Sequence, residues 1–322
     1  MESPIQKLNF SNDRGVSLYC KREDLLPFSL GGNKVRIGLQ FFADMERKGK
    51  DCMVIYGNSR SNLCRVLANL CYARQIPCYM ICSREEHETR KETGNSRLMR
   101  WLGCEVIPCE KDTIAQTVEQ TMQRLEAKGQ HPYYIYGDKF GRGNEGTPVQ
   151  AYVDGYREIQ AWQEREKIAF SHIFFASGTG ATQSGLVSGK ILNQGTEQIV
   201  GICISSREYD RAVSVMKEGI SSYFAAHDLT LPGDYARHIQ LEMNYRQGGY
   251  GTFDYRIEKV IREEFVKNGM PLDPTYTGKA FWGMKEYIEE KKLSDCNVLF
   301  IHTGGTPLFY DYLTEQSEEE KK

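Results

Sequence analysis

Lys34 closes the stretch Lys21-Arg22-Glu23-Asp24-Leu25-Leu26-Pro27-Phe28-Ser29-Leu30-Gly31-Gly32-Asn33-Lys34 and opens a helical pattern. Gly31 and Gly32 let the backbone bend tightly and approach a ligand closely. A lysine placed after such a turn can point its amine into a cleft. Desolvated there, it loses its proton readily and becomes a nucleophile or a base. That chemistry suits a Schiff base with an aldehyde cofactor. The same residues also read as a loop-to-helix turn carrying a solvated lysine, the ordinary fate of lysines.

Three other stretches have residue types that can bind or react. Ser177-Gly178-Thr179-Gly180-Ala181-Thr182 lies between an apolar run and a helical pattern. Its glycines expose backbone N–H groups, its hydroxyls add donors, and a helix N-terminus behind it favours negative charge. This is an anion cradle suited to a phosphate, and it is neither G-x-x-x-x-G-K-[ST] nor G-x-G-x-x-G. A plain strand-to-helix turn would use the same glycines. Ser59-Arg60-Ser61-Asn62 also follows an apolar run. Ser61 or Asn62 can cap a helix, or the loop can hold a substrate carboxylate. In His302-Thr303-Gly304-Gly305 a threonine hydroxyl can face a ring nitrogen, or the residues can form a turn beside a core histidine. Tyr250 and Tyr276 sit in Gly- or Pro-rich loops, unlike most of the nineteen tyrosines. Each can carry a proton if its pKa is lowered, or act as an aromatic anchor.

These residues need a scaffold, and the hydrophobic pattern predicts one. Strands are expected over 16–22, 52–56, 78–82, 105–108, 133–136, 171–176, 199–204 and 297–301. Helices are expected over 34–48, 63–74, 95–102, 113–128, 149–166, 186–193, 254–268 and 282–292. Residues 205–245 read as helix-rich, and the charged tail over 315–322 reads as frayed. The alternation argues for parallel βαβ units, in which ligands sit at the carboxyl ends of strands. A glycine-rich polar stretch over 141–148 marks a boundary. The expected division is a large cofactor-binding domain over 1–48 and 149–322, with a small α/β domain over 49–148 inserted in it.

Composition excludes several classes. The formal net charge of −2 gives no basic field for nucleic acid. No apolar run is long enough to span a membrane, and Met1-Glu2-Ser3-Pro4-Ile5 has no apolar signal core, so neither membrane nor export is expected. The ten cysteines form no C-x-x-C pair, and no H-x(3–5)-H partner is present, so no metal site is expected. Cys52, Cys78, Cys203 and Cys296 lie in apolar runs, where cysteine packs as a small hydrophobe. Free thiols in this number fit a reducing cytoplasm.

Taken together, the motifs resemble those of the fold-type II pyridoxal-phosphate enzymes, in the branch of 1-aminocyclopropane-1-carboxylate deaminase and D-cysteine desulfhydrase. Lys21-Arg22-Glu23-Asp24 followed by Gly31-Gly32-Asn33-Lys34 looks like the cofactor-lysine motif. Ser61-Asn62 with Arg65 looks like the substrate and cofactor loop, and residues 177–185 are similar to the phosphate loop. Asp273-Pro274-Thr275-Tyr276-Thr277-Gly278-Lys279 and His302-Thr303-Gly304-Gly305 look like the C-terminal motifs.

The resemblance implies an α/β fold of two open, mainly parallel twisted sheets flanked by helices, as in the β subunit of tryptophan synthase. It places the cofactor, pyridoxal 5'-phosphate, between the domains. Lys34 would carry the cofactor and serve as the α-proton base. Asn62 would bond the ring hydroxyl. Ser61 would bind the substrate carboxylate near the reacting carbon. Thr179, Gly180, Ala181 and Thr182 would hold the phosphate. Thr303 would face the pyridine nitrogen, and Tyr250 and Tyr276 match the active-site tyrosines. The partners implied are a small amino-acid substrate and a second copy of the chain in a homodimer.

Three departures stand out. Deaminases of the cyclopropane acid carry a glutamate where Thr277 stands, whereas desulfhydrases carry threonine. Ile37 replaces a lysine that contributes a phosphate contact. Arg60 replaces a glutamine, and a guanidinium there can read a second acidic group bidentately. The expected activity is therefore α,β-elimination and deamination of a small amino acid, as D-cysteine desulfhydrase performs. Alternatives are β-replacement or another amino-acid modification in a specialised pathway, and a non-catalytic ligand-binding protein on the same fold.

Overall fold

A computed structural model of the chain describes residues 1–83 and 92–319. In chain order its strands are β1 (Ile5–Lys7), β2 (Ser17–Arg22), β3 (Cys52–Gly57), β4 (Cys78–Ser83), β5 (Glu105–Cys109), β6 (Pro132–Tyr134), β7 (Phe170–Ser177), β8 (Gln198–Cys203), β9 (Gln240–Glu242) and β10 (Asn297–His302). Its helices are α1 (Asn33–Arg47), α2 (Asn62–Ala73), α3 (Gly94–Trp101), α4 (Ile114–Glu126), α5 (Gln150–Glu166), α6 (Ala181–Leu192), α7 (Tyr209–Ala226), α8 (Tyr255–Asn268), α9 (Thr277–Glu290) and α10 (Thr306–Glu319). The chain divides into two compact units, one of Met1–Asn33 with Pro148–Lys322 and one of Lys34–Thr147.

In the larger unit the sheet order is β1-β2-β10-β7-β8-β9. All its pairings are parallel except β1 with β2. Its core includes Phe174, Val200, Ile202, Phe281, Met284, Val298 and Phe300. Strand order reverses beside β7, since β8 lies on one side and β10 on the other. Ligands of open α/β sheets bind at the carboxyl ends of strands near such a reversal. Helices α5 and α6 pack almost backbone to backbone: a Cβ on Gly189 would stand 2.6 Å from the Cβ of Tyr156.

In the smaller unit the sheet order is β5-β4-β3-β6, all parallel. Its core includes Cys52, Val54, Ile81, Val118, Leu125 and Tyr134. Helix α1 belongs to this unit. The sequence expectation put residues 34–48 with the larger domain. Packing accounts for the placement, because Gly38 leaves room for Leu70 and Val66 of α2, and Asp44 accepts from the Tyr133 hydroxyl at 2.6 Å and pairs with Lys48 at 2.7 Å. Ile37, at the position expected to lack a phosphate contact, is only 1% exposed and packs as a core residue.

Several boundaries differ from expectation. Helix α6 begins at Ala181 rather than 186, and α9 at Thr277 rather than 282. In both cases the first turn is made of small or polar residues that are nevertheless buried: Thr182, Gln183 and Ser184 in α6, Thr277 and Lys279 in α9. Apolar periodicity cannot mark a helix there. The short strands β1 and β9 were not anticipated. Residues 315–319 continue α10, anchored upstream by buried Leu308 and by Phe309 stacked on Phe265. Residues 320–322, the end of the tail expected to fray, lie outside the described residues. Among the described residues, no helix is long and apolar enough to cross a membrane.

Candidate active site

In the larger unit, three motifs far apart in sequence leave the carboxyl ends of three adjacent parallel strands. The lysine motif follows β2, the Thr303 turn follows β10, and the glycine-hydroxyl loop follows β7. Register aligns them, since Arg22 pairs with His302 and Phe175 with Ile301. Hydrogen bonds then join them. The Gly32 N–H donates to Glu23 O at 2.8 Å and the Asn33 N–H to Thr303 O at 3.0 Å. The Asn33 side-chain amide donates to the Thr182 hydroxyl at 3.0 Å. Gly304 has φ +101°, and a Cβ there would stand 2.6 Å from Gly32 Cα, so the two turns can meet only without a side chain.

The tyrosines meet as well. The hydroxyls of Tyr250 and Tyr276 lie 2.6 Å apart, with their rings edge to face. Each tyrosine loop is held by a buried charge. The Asp273 carboxylate accepts from the N–H of Thr275, Tyr276 and Thr277 at 2.9, 2.8 and 3.1 Å, and from the Thr277 hydroxyl at 2.8 Å. Burial raises this carboxyl to about 6 although those bonds oppose it. The Lys279 ammonium donates to Arg246 O at 2.9 Å and to Gly249 O, fixing the turn ahead of Tyr250. Burial lowers its pKa to about 8.

In the smaller unit, Arg60, Ser61 and Asn62 come together between β3 and α2. Ser61 is the N-cap of α2, and its hydroxyl accepts from the Cys64 N–H at 3.2 Å. The Asn62 carbonyl oxygen accepts from Asn95 at 3.0 Å and from buried Arg65 at 3.5 Å. Asn95 also donates to Arg60 O at 2.9 Å, and the Thr93 hydroxyl donates to Ser59 O at 2.7 Å. The Arg60 guanidinium makes no hydrogen bond among the described residues. Lys34 follows Asn33 in the first turn of α1. Its residue is half-buried, and burial drags its amine from the usual 10.5 to about 8.

Two observations test whether these residues fit a pyridoxal phosphate, and both accord with it. First, Lys34 makes no ion pair among the described residues, so its pKa is set by desolvation alone and a reactive neutral amine is accessible near neutral pH. Second, the N-cap of α6 is Gly180 (φ +95°), which has no side chain to cap the helix, and among the described residues the N–H groups from Thr179 to Gln183 have no protein acceptor. Five donors without a protein acceptor at the positive end of a helix suit a tetrahedral dianion. Thr303 as a residue is 8% exposed, and its hydroxyl likewise makes no hydrogen bond among the described residues.

Sequence reasoning assigned no role to Asn33, Asn95, Asp273 or Lys279. Asp273 and Lys279 lie within a motif it quoted, and buried charge in a glycine-rich loop was the available signal. For Asn95 the only local sign was the capping pattern of Thr93 with Ser96.

The comparisons with known proteins point to the same cofactor. A family model described as "Pyridoxal-phosphate dependent enzyme" matches residues 2–304. A putative 1-aminocyclopropane-1-carboxylate deaminase of Pyrococcus abyssi is 29% identical over 98% of this chain and 93% of its own length. A D-cysteine desulfhydrase of Salmonella newport is 30% identical over 96% of this chain and 93% of its own length. Among solved structures, a homologue of the same deaminase superposes with a TM-score of 0.85 at 26% identity, covering 98% of this chain and 93% of the other. The chain belongs to the pyridoxal-phosphate-dependent enzyme family.

Proposed function

We propose that this enzyme is a lyase that eliminates a β-substituent from a small amino acid and deaminates it, as a D-cysteine desulfhydrase does. The observation that carries elimination over ring opening is the state of Thr277. It stands where deaminases of the cyclopropane acid have a glutamate, and its hydroxyl is spent within its own loop: it accepts from the Asp273 N–H at 2.8 Å and donates to the Asp273 carboxylate. No free acid is available beside Tyr276 from that position.

Bound pyridoxal phosphate supplies an electron sink for negative charge at the substrate α carbon. The protein does the rest. Thr179, Gly180, Ala181 and Thr182 would hold the phosphate, Asn62 would bond the ring hydroxyl, Thr303 would face the ring nitrogen, and Lys34 would hold the aldehyde carbon. A neutral threonine at the ring nitrogen favours a weaker sink, adequate when the negative charge is discharged at once by loss of a leaving group. Ser61 holds the substrate carboxylate, and the Lys34 amine takes the α proton. The Tyr250–Tyr276 pair delivers a proton to the departing group. With D-cysteine and water the products are pyruvate, sulfide and ammonia.

Arg60 extends the substrate class. Its backbone is pinned by Asn58 and Asn95 while its guanidinium is uncommitted among the described residues. We assign it to a second acidic group on the substrate, as in cysteate. Arg60→Gln should lower kcat/KM for an acidic substrate about 10- to 100-fold, the worth of one charged hydrogen bond, and leave a neutral one unaffected. An unchanged substrate profile sinks the assignment.

The main test is a screen of D- and L-amino acids with products identified by mass. Keto acid and ammonia in equal amounts support elimination, and a new amino acid without keto acid overturns it in favour of replacement. The same proposal includes a large cofactor-binding domain with a smaller inserted one, and a homodimer, both on the resemblance. It includes a reducing cytoplasm, on ten cysteines that form no disulfide.

A further inference from the structure

We infer, on the pyridoxal-phosphate reading above, that Asn95 is a positioning residue that sets which end of the Asn62 amide faces the cofactor. It thereby fixes Asn62 as a hydrogen-bond donor to the ring oxygen.

Strands β3 and β4 are adjacent and parallel, with Gly57 paired to Cys82. The helices that follow them therefore start side by side, α2 at Asn62 and α3 at Gly94. Asn95 is fully buried in the first turn of α3. Its side-chain amide nitrogen donates both hydrogens, one to Arg60 O at 2.9 Å and one to Asn62 Oδ1 at 3.0 Å.

The orientation of both amides follows from donor and acceptor chemistry. A backbone carbonyl can only accept, so Arg60 O requires the nitrogen of Asn95, not its oxygen. That nitrogen then requires the oxygen of Asn62. Arg65, a donor with no acceptor atoms, approaches the same Asn62 oxygen at 3.5 Å and demands the same choice. The Asn62 nitrogen is thus turned the other way, and among the described residues it has no acceptor. A side chain that presents only N–H favours an anionic partner oxygen over a hydroxyl. With the cofactor bound, the negative form of its ring oxygen would be stabilised, and the proton it would share with the nitrogen of Lys34 would stay on that nitrogen.

Substitution by an acceptor should reverse the arrangement. The carboxylate introduced by Asn95→Asp attracts the Asn62 nitrogen, so the Asn62 oxygen is presented instead. Asn95→Ala removes the stronger of the two donors and leaves Asn62 only the longer contact from Arg65.

The test is the absorption spectrum of the holoenzyme at a fixed pH. The cofactor form with an anionic ring oxygen absorbs in the visible and the form with a neutral hydroxyl in the near ultraviolet. The visible fraction is expected to fall in the order wild type, Asn95→Ala, Asn95→Asp, with the last changing the ratio of the two forms about 10-fold. In an Asn62→Ala background, Asn95→Asp should produce no further shift, because Asn95 acts through Asn62. Far-ultraviolet circular dichroism and cofactor content identify a misfolded variant, and if Asn95→Asp does not fold, Asn95→Ala carries the comparison. Spectra unchanged in the Asn95 variants, or an equal shift with Asn62 already removed, overturn the inference while leaving the pyridoxal-phosphate reading intact. A wild-type protein that takes up no cofactor overturns both.

Discussion

Lys34→Ala is expected to abolish the visible cofactor band and to reduce turnover about 10³-fold or more, the span of a lost general base. Lys34 has two tasks in the proposed mechanism, and both need an amine that is neutral part of the time. Burial lowers its pKa from 10.5 to about 8. In the apoenzyme the rate of cofactor capture should therefore rise with pH to a plateau above about 8, and not continue to rise to 10.5 as for a solvated lysine. Stability moves in the same direction. The folded state binds its proton less tightly than the unfolded chain, so below pH 8 the buried ammonium opposes folding. That cost disappears as pH rises from about 8 to 10.5. The melting temperature of the apoenzyme should gain from this over that window, and the apo Lys34→Met variant should lack the gain. A retained visible band in Lys34→Ala would rule out Lys34 as the cofactor lysine.

The second large effect is expected at Asp273, which touches no part of the proposed reaction. Its carboxylate is fully buried and accepts three N–H groups and one hydroxyl within five residues. Asp273→Ala strands those donors, each costing about 1–3 kcal/mol when buried without a partner. A loss of about 3–6 kcal/mol in urea unfolding is expected, with Tyr276 released from Tyr250 and activity falling with it. Asp273→Asn keeps one oxygen for Thr275 and Tyr276 but turns an N–H toward Thr277, so it should fall between wild type and alanine. Equal stability for all three proteins would mean that water or a neighbour satisfies the loop, contrary to its burial.

The site was legible in sequence wherever its chemistry is local. A run such as His172–Ser177 followed by glycines and hydroxyls reads directly as strand, cradle and helix, because the residues proposed to bind are those that make the turn. The same holds for Lys34 behind Gly31-Gly32 and for Thr303 after β10. Where buried polar residues form the helix, the pattern failed. Helix α6 was expected five residues late because Thr182, Gln183 and Ser184 do not look like a core, although all three are buried.

Residue types and their order thus established the cofactor class and the alternation of strands and helices, and they supplied the residues proposed to hold and react. Those features depend on local backbone conformation and on functional groups a few positions apart. Tertiary structure was needed for the partners of those residues. It joined Asn33 to Thr182 across 149 positions and Asn62 to Asn95 across 33, and it brought Tyr250 to Tyr276 through loops clamped by Lys279 and Asp273. Such pairs arise because parallel strands in register deliver their following loops to one edge of a sheet, and strand order is set by the packing of whole faces rather than by any short stretch of chain.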